Sequence, residues 1–153
     1  MSQVSRGLAM ATLMAALWAH ADTFRVDDSL TRVGKPVTEM QWRQFAPKRF
    51  TDNMVEGKVP VAVNLNLAPW LNRPARIYMA LGQTAGPPVE ARWETQGRLM
   101  PGSVRSGART LVFQGVVSQA SLQEMIFLTL VADGRELPNL QTLQFYFEID
   151  VAS

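Results

Sequence analysis

The chain contains no cysteine, and its only histidine is His20. Without cysteine no disulfide can form, so packed side chains and paired strands must hold the fold together. Ser-His-Asp and Cys-His catalysis also need histidine or cysteine, and these two residues are the usual zinc ligands. His20 lies in a segment that we expect to be removed on export. We therefore predict no catalytic residue, no cofactor and no metal site, and expect that the protein is not an enzyme.

The chain also lacks a large excess of either charge, since it has 15 lysine and arginine residues and 13 aspartate and glutamate residues. Nucleic-acid binding needs a clustered basic surface, so nucleic acid is not expected as a partner. The sequence has no phosphate-binding or dinucleotide-binding motif. Carboxylate pairs remain, at Asp27 and Asp28 and at Glu90 and Glu94. Their positions near a terminus and along one strand face are typical of solvated charges rather than of a paired acid and base.

The first 21 residues have the three parts of a cleavable export signal. A basic start is followed by an apolar run, Leu8–Trp18, that is too short to cross a bilayer. Ala19 and Ala21 are the small residues that a signal peptidase requires. We predict cleavage after Ala21, so that the mature chain works outside the cytoplasm. The alternative is an N-terminal membrane anchor or a buried helix.

The rest of the chain alternates between apolar and polar residues, which is the period of strands. The clearest run is Val59–Leu67, whose odd-numbered residues are all valine or leucine. Met125–Val131 is apolar on nearly both faces and predicts a central strand covered on both sides. Strands of this length between glycine and proline loops indicate an antiparallel β-sandwich or barrel.

The sequence also predicts the local structure of three shorter segments. Val37–Phe45 fits either a short capped helix or a strand with Met40 and Trp42 inward. Gly115 is a possible β-bulge within a strand. Ser118–Glu124 fits a single helical turn.

The two ends of the mature chain carry the functional signal. The last strand presents one unbroken apolar face, formed by Leu143, Phe145, Phe147, Ile149 and Val151. By itself, this pattern also fits an ordinary closing strand. Near the other end, Phe24, Val26 and Leu30 occupy even positions ahead of a Gly34-Lys35-Pro36 break. This segment is either the first strand of its own domain or an arm that adds to the open sheet of another molecule.

In this layout the chain resembles the subunits of chaperone–usher fimbriae (pilins) of Gram-negative bacteria, in a branch without a disulfide. The shared features are the signal, the domain size, the β pattern and the alternating ends. The resemblance implies an all-β, immunoglobulin-like antiparallel β-sandwich that is incomplete and is completed by a donated strand. It divides the chain into a signal peptide at 1–21, an N-terminal extension at 22–36 and a sandwich domain at 37–153.

The resemblance also implies a function as a structural subunit of a fimbrium at the cell surface that supports adhesion. A periplasmic pilus chaperone would lend a strand beside Leu143–Val151, and at the outer-membrane usher the arm of another fimbrial subunit would replace it. The arm residues would be Phe24, Val26 and Leu30, although Asp28 interrupts their alternation. A host receptor or glycan is a further possible partner. The open groove predicts that the isolated mature chain aggregates.

The alternative is a complete periplasmic or secreted β-sandwich that binds a ligand such as a carbohydrate. Exposed aromatic side chains would then stack on the sugar rings. The candidates are Trp42, Trp70, Trp93 and Tyr78. The two interpretations differ in whether Asp22–Val33 pairs within its own domain.

Overall fold

The structure, a computed structural model, describes residues 21–34, 41–42, 54–83, 88–133 and 144–153. The predicted signal as far as His20, including Ala19, lies outside the described residues. So do Leu143 and all of Val37–Phe45 except the backbone of Gln41 and Trp42.

Ten strands and one short 3-10 helix, Ala68–Trp70, make up the described chain. In chain order the strands are β1 (Ala21–Arg25), β2 (Arg32–Val33), β3 (Gln41–Trp42), β4 (Met54–Asn66), β5 (Pro74–Leu81), β6 (Glu90–Thr95), β7 (Gly102–Arg105), β8 (Arg109–Val116), β9 (Ser121–Asp133) and β10 (Phe145–Ala152). One sheet has the order β1-β10-β5-β8, and the other has the order β2-β4-β9-β6-β7 with β3 also paired to β4. All pairings are antiparallel. The predicted antiparallel β-sandwich is confirmed.

Alternation along each strand decides which side chains enter the core between the sheets. In β4 the inward residues Val61, Val63 and Leu65 are almost fully buried, as the alternation of this run predicts. They face the first sheet, in which Ile77 and Ile149 are fully buried. Because the chain has no disulfide, this apolar layer is the main source of its folding free energy.

The prediction that Met125–Val131 is covered on both faces is only half right. The segment lies in β9, between β4 and β6, so it is central as predicted. Its inward residues Ile126 and Leu128 are buried, but Met125 is 50% exposed and Phe127 is 51% exposed. Among the described residues no element covers the outer face of this sheet at those two side chains. The prediction of a covered outer face is wrong because antiparallel sheets commonly leave one face exposed to solvent, here even where that face carries apolar residues.

Two local predictions are wrong. Ser118–Glu124 holds no helical turn, because β9 already begins at Ser121. The bulge expected at Gly115 lies elsewhere: Ile77 pairs with Phe113 and Tyr78 pairs with Leu111, so Val112 is the additional residue.

The position of β1 is the feature of the fold that bears on function. In an immunoglobulin-type sandwich, strands A, B, E and D form one sheet, and C, F and G form the other. Here β2, β4, β9 and β6 have the A-B-E-D order, while β5 and β10 take the places of C and F. The place of the last strand, beside β10, is occupied by β1. The first strand of the described chain therefore completes the sheet that the last one lies in.

Candidate functional site

The candidate site is the strip of sheet edge beside β10, which we call the strand slot. It is lined by β10 from Glu148 to Ala152 and occupied by β1. The pairing is antiparallel, with Phe24 opposite Ile149 and Thr23 opposite Asp150. The amide of Val26 continues the ladder and donates to the Phe147 carbonyl at 3.0 Å. The slot thus binds a strand mainly through its backbone, as strand addition requires.

Two apolar side chains of the occupying segment point into the sandwich. Val26 is 1% exposed and belongs to the core. Phe24 lies against the buried indole of Trp70, with ring centroids 6.0 Å apart, and it remains 44% exposed. Since Phe24 is only half covered, burial of Val26 contributes more per atom to holding the segment in place.

After Val26 the chain leaves the first sheet and joins the second. Asp27 forms an isolated β-bridge with Asn66. The backbone amide of Asn66 donates to the backbone carbonyl of Asp27 at 2.9 Å. A turn follows, and Arg32 and Val33 then pair with β4. Leu30 lies in that turn and is 61% exposed, so it does not continue the inward row of Phe24 and Val26.

The Asp27 carboxylate stabilises this crossover turn. It accepts a hydrogen bond from the backbone amide of Ser29 at 3.0 Å. The pKa of Asp27 is lowered by hydrogen bonds from the side chain and the backbone of Ser29, because both favour the ionised form.

On the outer face of the first sheet, a buried carboxylate meets the occupying strand. Asp150 is 9% exposed and accepts a hydrogen bond from the Thr23 hydroxyl at 2.6 Å. The Arg109 guanidinium donates two further bonds to the Asp150 oxygens, both at 3.1 Å. A bidentate hydrogen bond between arginine and a carboxylate is strong and requires a specific geometry. Asp150 is thereby held in one orientation, with one oxygen directed at β1.

Arg109 reaches Asp150 across the sheet from β8. Its guanidinium carbon lies 4.1 Å from the centroid of the Tyr78 ring, and it also donates to Glu148 at 3.1 Å. Hydrogen bonding to Asp150, more than any other contact, raises the pKa of Arg109. Arginine is charged at physiological pH in any environment, so Asp150 always faces a cation. The cluster of Thr23, Asp150, Tyr78 and Arg109 includes one side chain from each strand of this sheet.

The aromatic side chains proposed for carbohydrate stacking do not form an open platform. Trp70 is 9% exposed and Trp93 is 3% exposed, and the Trp93 indole donates to the Met100 carbonyl at 2.8 Å. The Tyr78 ring is covered by Arg109. The side chain of Trp42 lies outside the described residues. The burial of Trp70 and Trp93 argues against these two candidates, since binding needs exposed rings.

Two clefts flank the crossover. One has a volume of about 170 Å³ and is lined by Asp27, Ser29, Leu30, Asn64, Asn66 and Ser121. The other has a volume of about 300 Å³ and is lined by Arg25, Asp28, Thr31, Val33, Gln144 and Phe145. Within the described ranges, no group of three or more acidic, histidine or cysteine side chains is arranged to hold a metal ion. None of the helical structure described there is long and apolar enough to cross a membrane.

The structure brings most of the predicted site residues to one place. Phe24 and Val26 lie in or next to β1, and Phe147, Ile149 and Val151 are buried in β10, with Phe145 partly buried at its start. Ala21 is the first residue of β1 and pairs with Ala152. Their roles as donor arm, groove strand and cleavage site stay predictions.

Sequence reasoning missed Thr23, Asp150 and Arg109. Each lies on the outer, polar face of its strand, where a charge or hydroxyl usually meets water. The sequence carries only a weak indication of Asp150, which is an acid near the end of the polar row of the last strand. Nothing in the sequence indicated its partners, which lie 127 and 41 residues away.

Comparison of the chain with protein-family models, with curated proteins and with solved structures finds no match.

Proposed function

We propose that this chain is a structural subunit of a surface fimbrium and that it polymerises by exchanging β1 between copies. The observation that supports the proposal is the antiparallel pairing of β1 with β10 in the place of the last strand of an immunoglobulin-type sandwich. The same pairing, made with the β10 of another copy, would join subunits into a fibre. No new contact type is needed, because the strand and the slot already fit each other.

The contacts of β1 suit a strand that is exchanged. Its five residues are exposed or half-buried, and its described side-chain contacts are few. They comprise the Thr23 bond to Asp150, the Phe24 contact with Trp70 and the Arg25 guanidinium 3.9 Å from the Tyr146 ring centroid. Domain swapping costs little when the exchanged element makes the same contacts in both molecules.

On this proposal the chain is exported with its signal removed after Ala21. In the periplasm a pilus chaperone would hold the slot until, at an outer-membrane usher, the arm of another fimbrial subunit takes it. The pairing of β1 with its own β10 changes one expectation. Because the slot is filled, the isolated chain can exist as a closed monomer instead of aggregating, and polymerisation then requires β1 to leave.

A graft tests the proposal. A second copy of residues 22–33, joined after Ser153 by a short glycine-rich linker, would run antiparallel to β10 and fill the slot permanently. We expect the unmodified mature chain, incubated at high concentration, to form oligomers larger than dimers, and the grafted chain to remain monomeric by light scattering.

The matched control carries Val26→Asp in the grafted copy alone. A carboxylate at this buried position would prevent the graft from occupying the slot. The control should therefore oligomerise like the unmodified chain. Equal behaviour of all three proteins, with no species above a monomer, would contradict the proposal.

One observation favours a second function. Since residues 21–33 pair within their own domain, the sandwich is complete as it stands, as expected for a ligand-binding domain in the periplasm or outside the cell. That function predicts that the graft changes neither size nor stability. It also predicts a saturable response to a glycan panel, and the two clefts beside the crossover are candidate surfaces for that binding.

A further inference from the structure

We propose that Asp150 selects the strand that enters the slot, by requiring a hydroxyl-bearing residue opposite it. This inference rests on the proposed exchange of β1 and names the sequence that the slot accepts: serine or threonine, followed by an apolar residue, any residue and a small apolar residue. In this chain the pattern is Thr23-Phe24-Arg25-Val26. The occupant is the N-terminal segment of a second copy.

The first step is the burial of Asp150. Its carboxylate is largely withdrawn from solvent, and the Arg109 guanidinium donates to both of its oxygens from one side. The oxygen Oδ1 also accepts the Thr23 hydroxyl from β1. A strand with an apolar residue at this position would cover that oxygen and supply no donor. Leaving a buried charged group short of a hydrogen bond costs more than losing a bond between neutral groups.

The second step is a comparison with Phe24, the residue that sequence reasoning favours. Phe24 is 44% exposed in the slot, and its ring is tilted by 40° against the Trp70 ring. Other large apolar residues can make that contact with little loss. The hydroxyl bond to Asp150 is short and directional, so it discriminates between sequences better than the aromatic contact does.

The third step concerns register. A slip of two residues in one direction leaves no residue of an arm that begins at Asp22 opposite Asp150, which removes the hydroxyl. A slip of two in the other direction places Asp28 where Val26 is now buried. A slip of one residue turns every side chain to the opposite face. Thr23 and Val26 together therefore leave one favourable register.

The test uses a synthetic peptide of residues 22–33 with Arg25→Cys, and the chain from Asp22 to Ser153 with Glu148→Cys as acceptor. Positions 25 and 148 are directly opposite in the pairing, and the chain has no other thiol. In a glutathione buffer, the fraction of acceptor disulfide-bonded to the peptide reports how well the peptide competes with the acceptor's own β1. The acceptor is the same protein for every peptide, so its folding cannot account for a difference.

We expect a peptide that also carries Thr23→Val to give an equilibrium constant at least about ten-fold lower, and one with Thr23→Ser to stay within about three-fold. The matched control is Thr31→Val, the same chemical change at a threonine that bonds to the neutral Asn64 backbone. It should cost less than about three-fold. An acceptor that also carries Asp150→Asn should discriminate less between the peptide that keeps Thr23 and the peptide with Thr23→Val.

The two proposals fail in different ways. Equal trapping of the peptides with threonine and valine at position 23 would overturn the selective role of Asp150 and leave strand exchange standing. If no peptide is trapped above the level of a scrambled sequence, the slot does not exchange its strand. That result overturns the proposed function and this inference with it.

Discussion

The strand pairs β4–β9 and β1–β10 show how differently one chain can hold two parts of the same sandwich. The first pair runs through 13 consecutive partners, from Met54 opposite Asp133 to Asn66 opposite Ser121. The second has five partners, and the strand that supplies them has no fully buried side chain. The long pair forms the scaffold, and the short pair is held by its ladder and a few side-chain contacts. Regions of a protein with few buried contacts open locally at a lower free energy than regions with many.

The largest expected effect comes from breaking the scaffold. Ile126→Ala removes a fully buried side chain of β9 and should lower the free energy of unfolding by about 2–5 kcal/mol. Phe127→Ala, at the adjacent residue that is half-exposed, is the control and should cost less than about 1 kcal/mol. Denaturant unfolding monitored by tryptophan fluorescence gives both values. Equal losses would mean that the two faces of β9 are not as different as their burial indicates.

A smaller effect is expected at the polar cluster on the outer face of the first sheet, where β10 contacts β1 and β8. Asp150→Asn removes the charge that Arg109 and Thr23 bind, and it should cost about 2 kcal/mol. Glu148→Gln, which alters a more exposed partner of the same guanidinium, should cost less than about 1 kcal/mol. The ordering is checked by the midpoints of thermal unfolding, and the reverse ordering would contradict the account of this cluster.

Val26→Ala is expected to act on the short pair alone. Losing two methyl groups at this buried position should make opening of β1 roughly ten-fold more frequent. Amide hydrogen exchange measures this opening at the Val26 amide, which donates to Phe147. The amides of the β4–β9 ladder should keep their protection. A uniform loss of protection in both regions would show that β1 opens only when the whole domain unfolds.

The smallest effect is the pH dependence of the crossover turn. A carboxylate whose pKa is lower in the folded state contributes stability above its unfolded pKa and loses it as the pH falls through the folded value. Because hydrogen bonds from Ser29 lower the pKa of Asp27, the turn should stay intact at neutral pH and loosen below about pH 4.

The exchange rate of the Ser29 amide, corrected for the intrinsic effect of pH, reports this loosening. In an Asp27→Asn variant the corrected rate should no longer depend on pH in that range. If the variant shows the same dependence as the unmodified chain, the turn is held by other groups.

Much of the scaffold could be predicted from the sequence, because alternation maps directly onto the faces of a strand. Val59–Leu67 and the last strand are where the pattern places them. β7 was not predicted as a strand, since Gly102 and Ser103 favour loops over strands by composition. The exposure of Phe127 could not be predicted, because an apolar residue on an open sheet face looks the same in sequence as one on a covered face.

The slot was predicted only in part. The two alternating ends indicated which segments matter, but not that they pair with each other inside one chain. The contact of Asp150 with Arg109 and Thr23 depends on a fold that brings four strands together in a non-sequential order. Polar contacts between residues far apart in the sequence produce no local periodicity, so the sequence alone does not reveal them.

Disulfide trapping of full chains tests most directly whether β1 exchanges between copies. The chain from Asp22 to Ser153 with Arg25→Cys and Glu148→Cys carries its only two thiols at positions that face each other across β1 and β10. The control, Arg25→Cys with Glu94→Cys, places the second thiol on the exposed side of β6 in the other sheet. After incubation at high concentration and oxidation, we predict a ladder of disulfide-linked chains beyond the dimer for the first variant and not for the second. A first variant that forms only intrachain disulfides at every concentration would show that β1 is a permanent strand of its own domain.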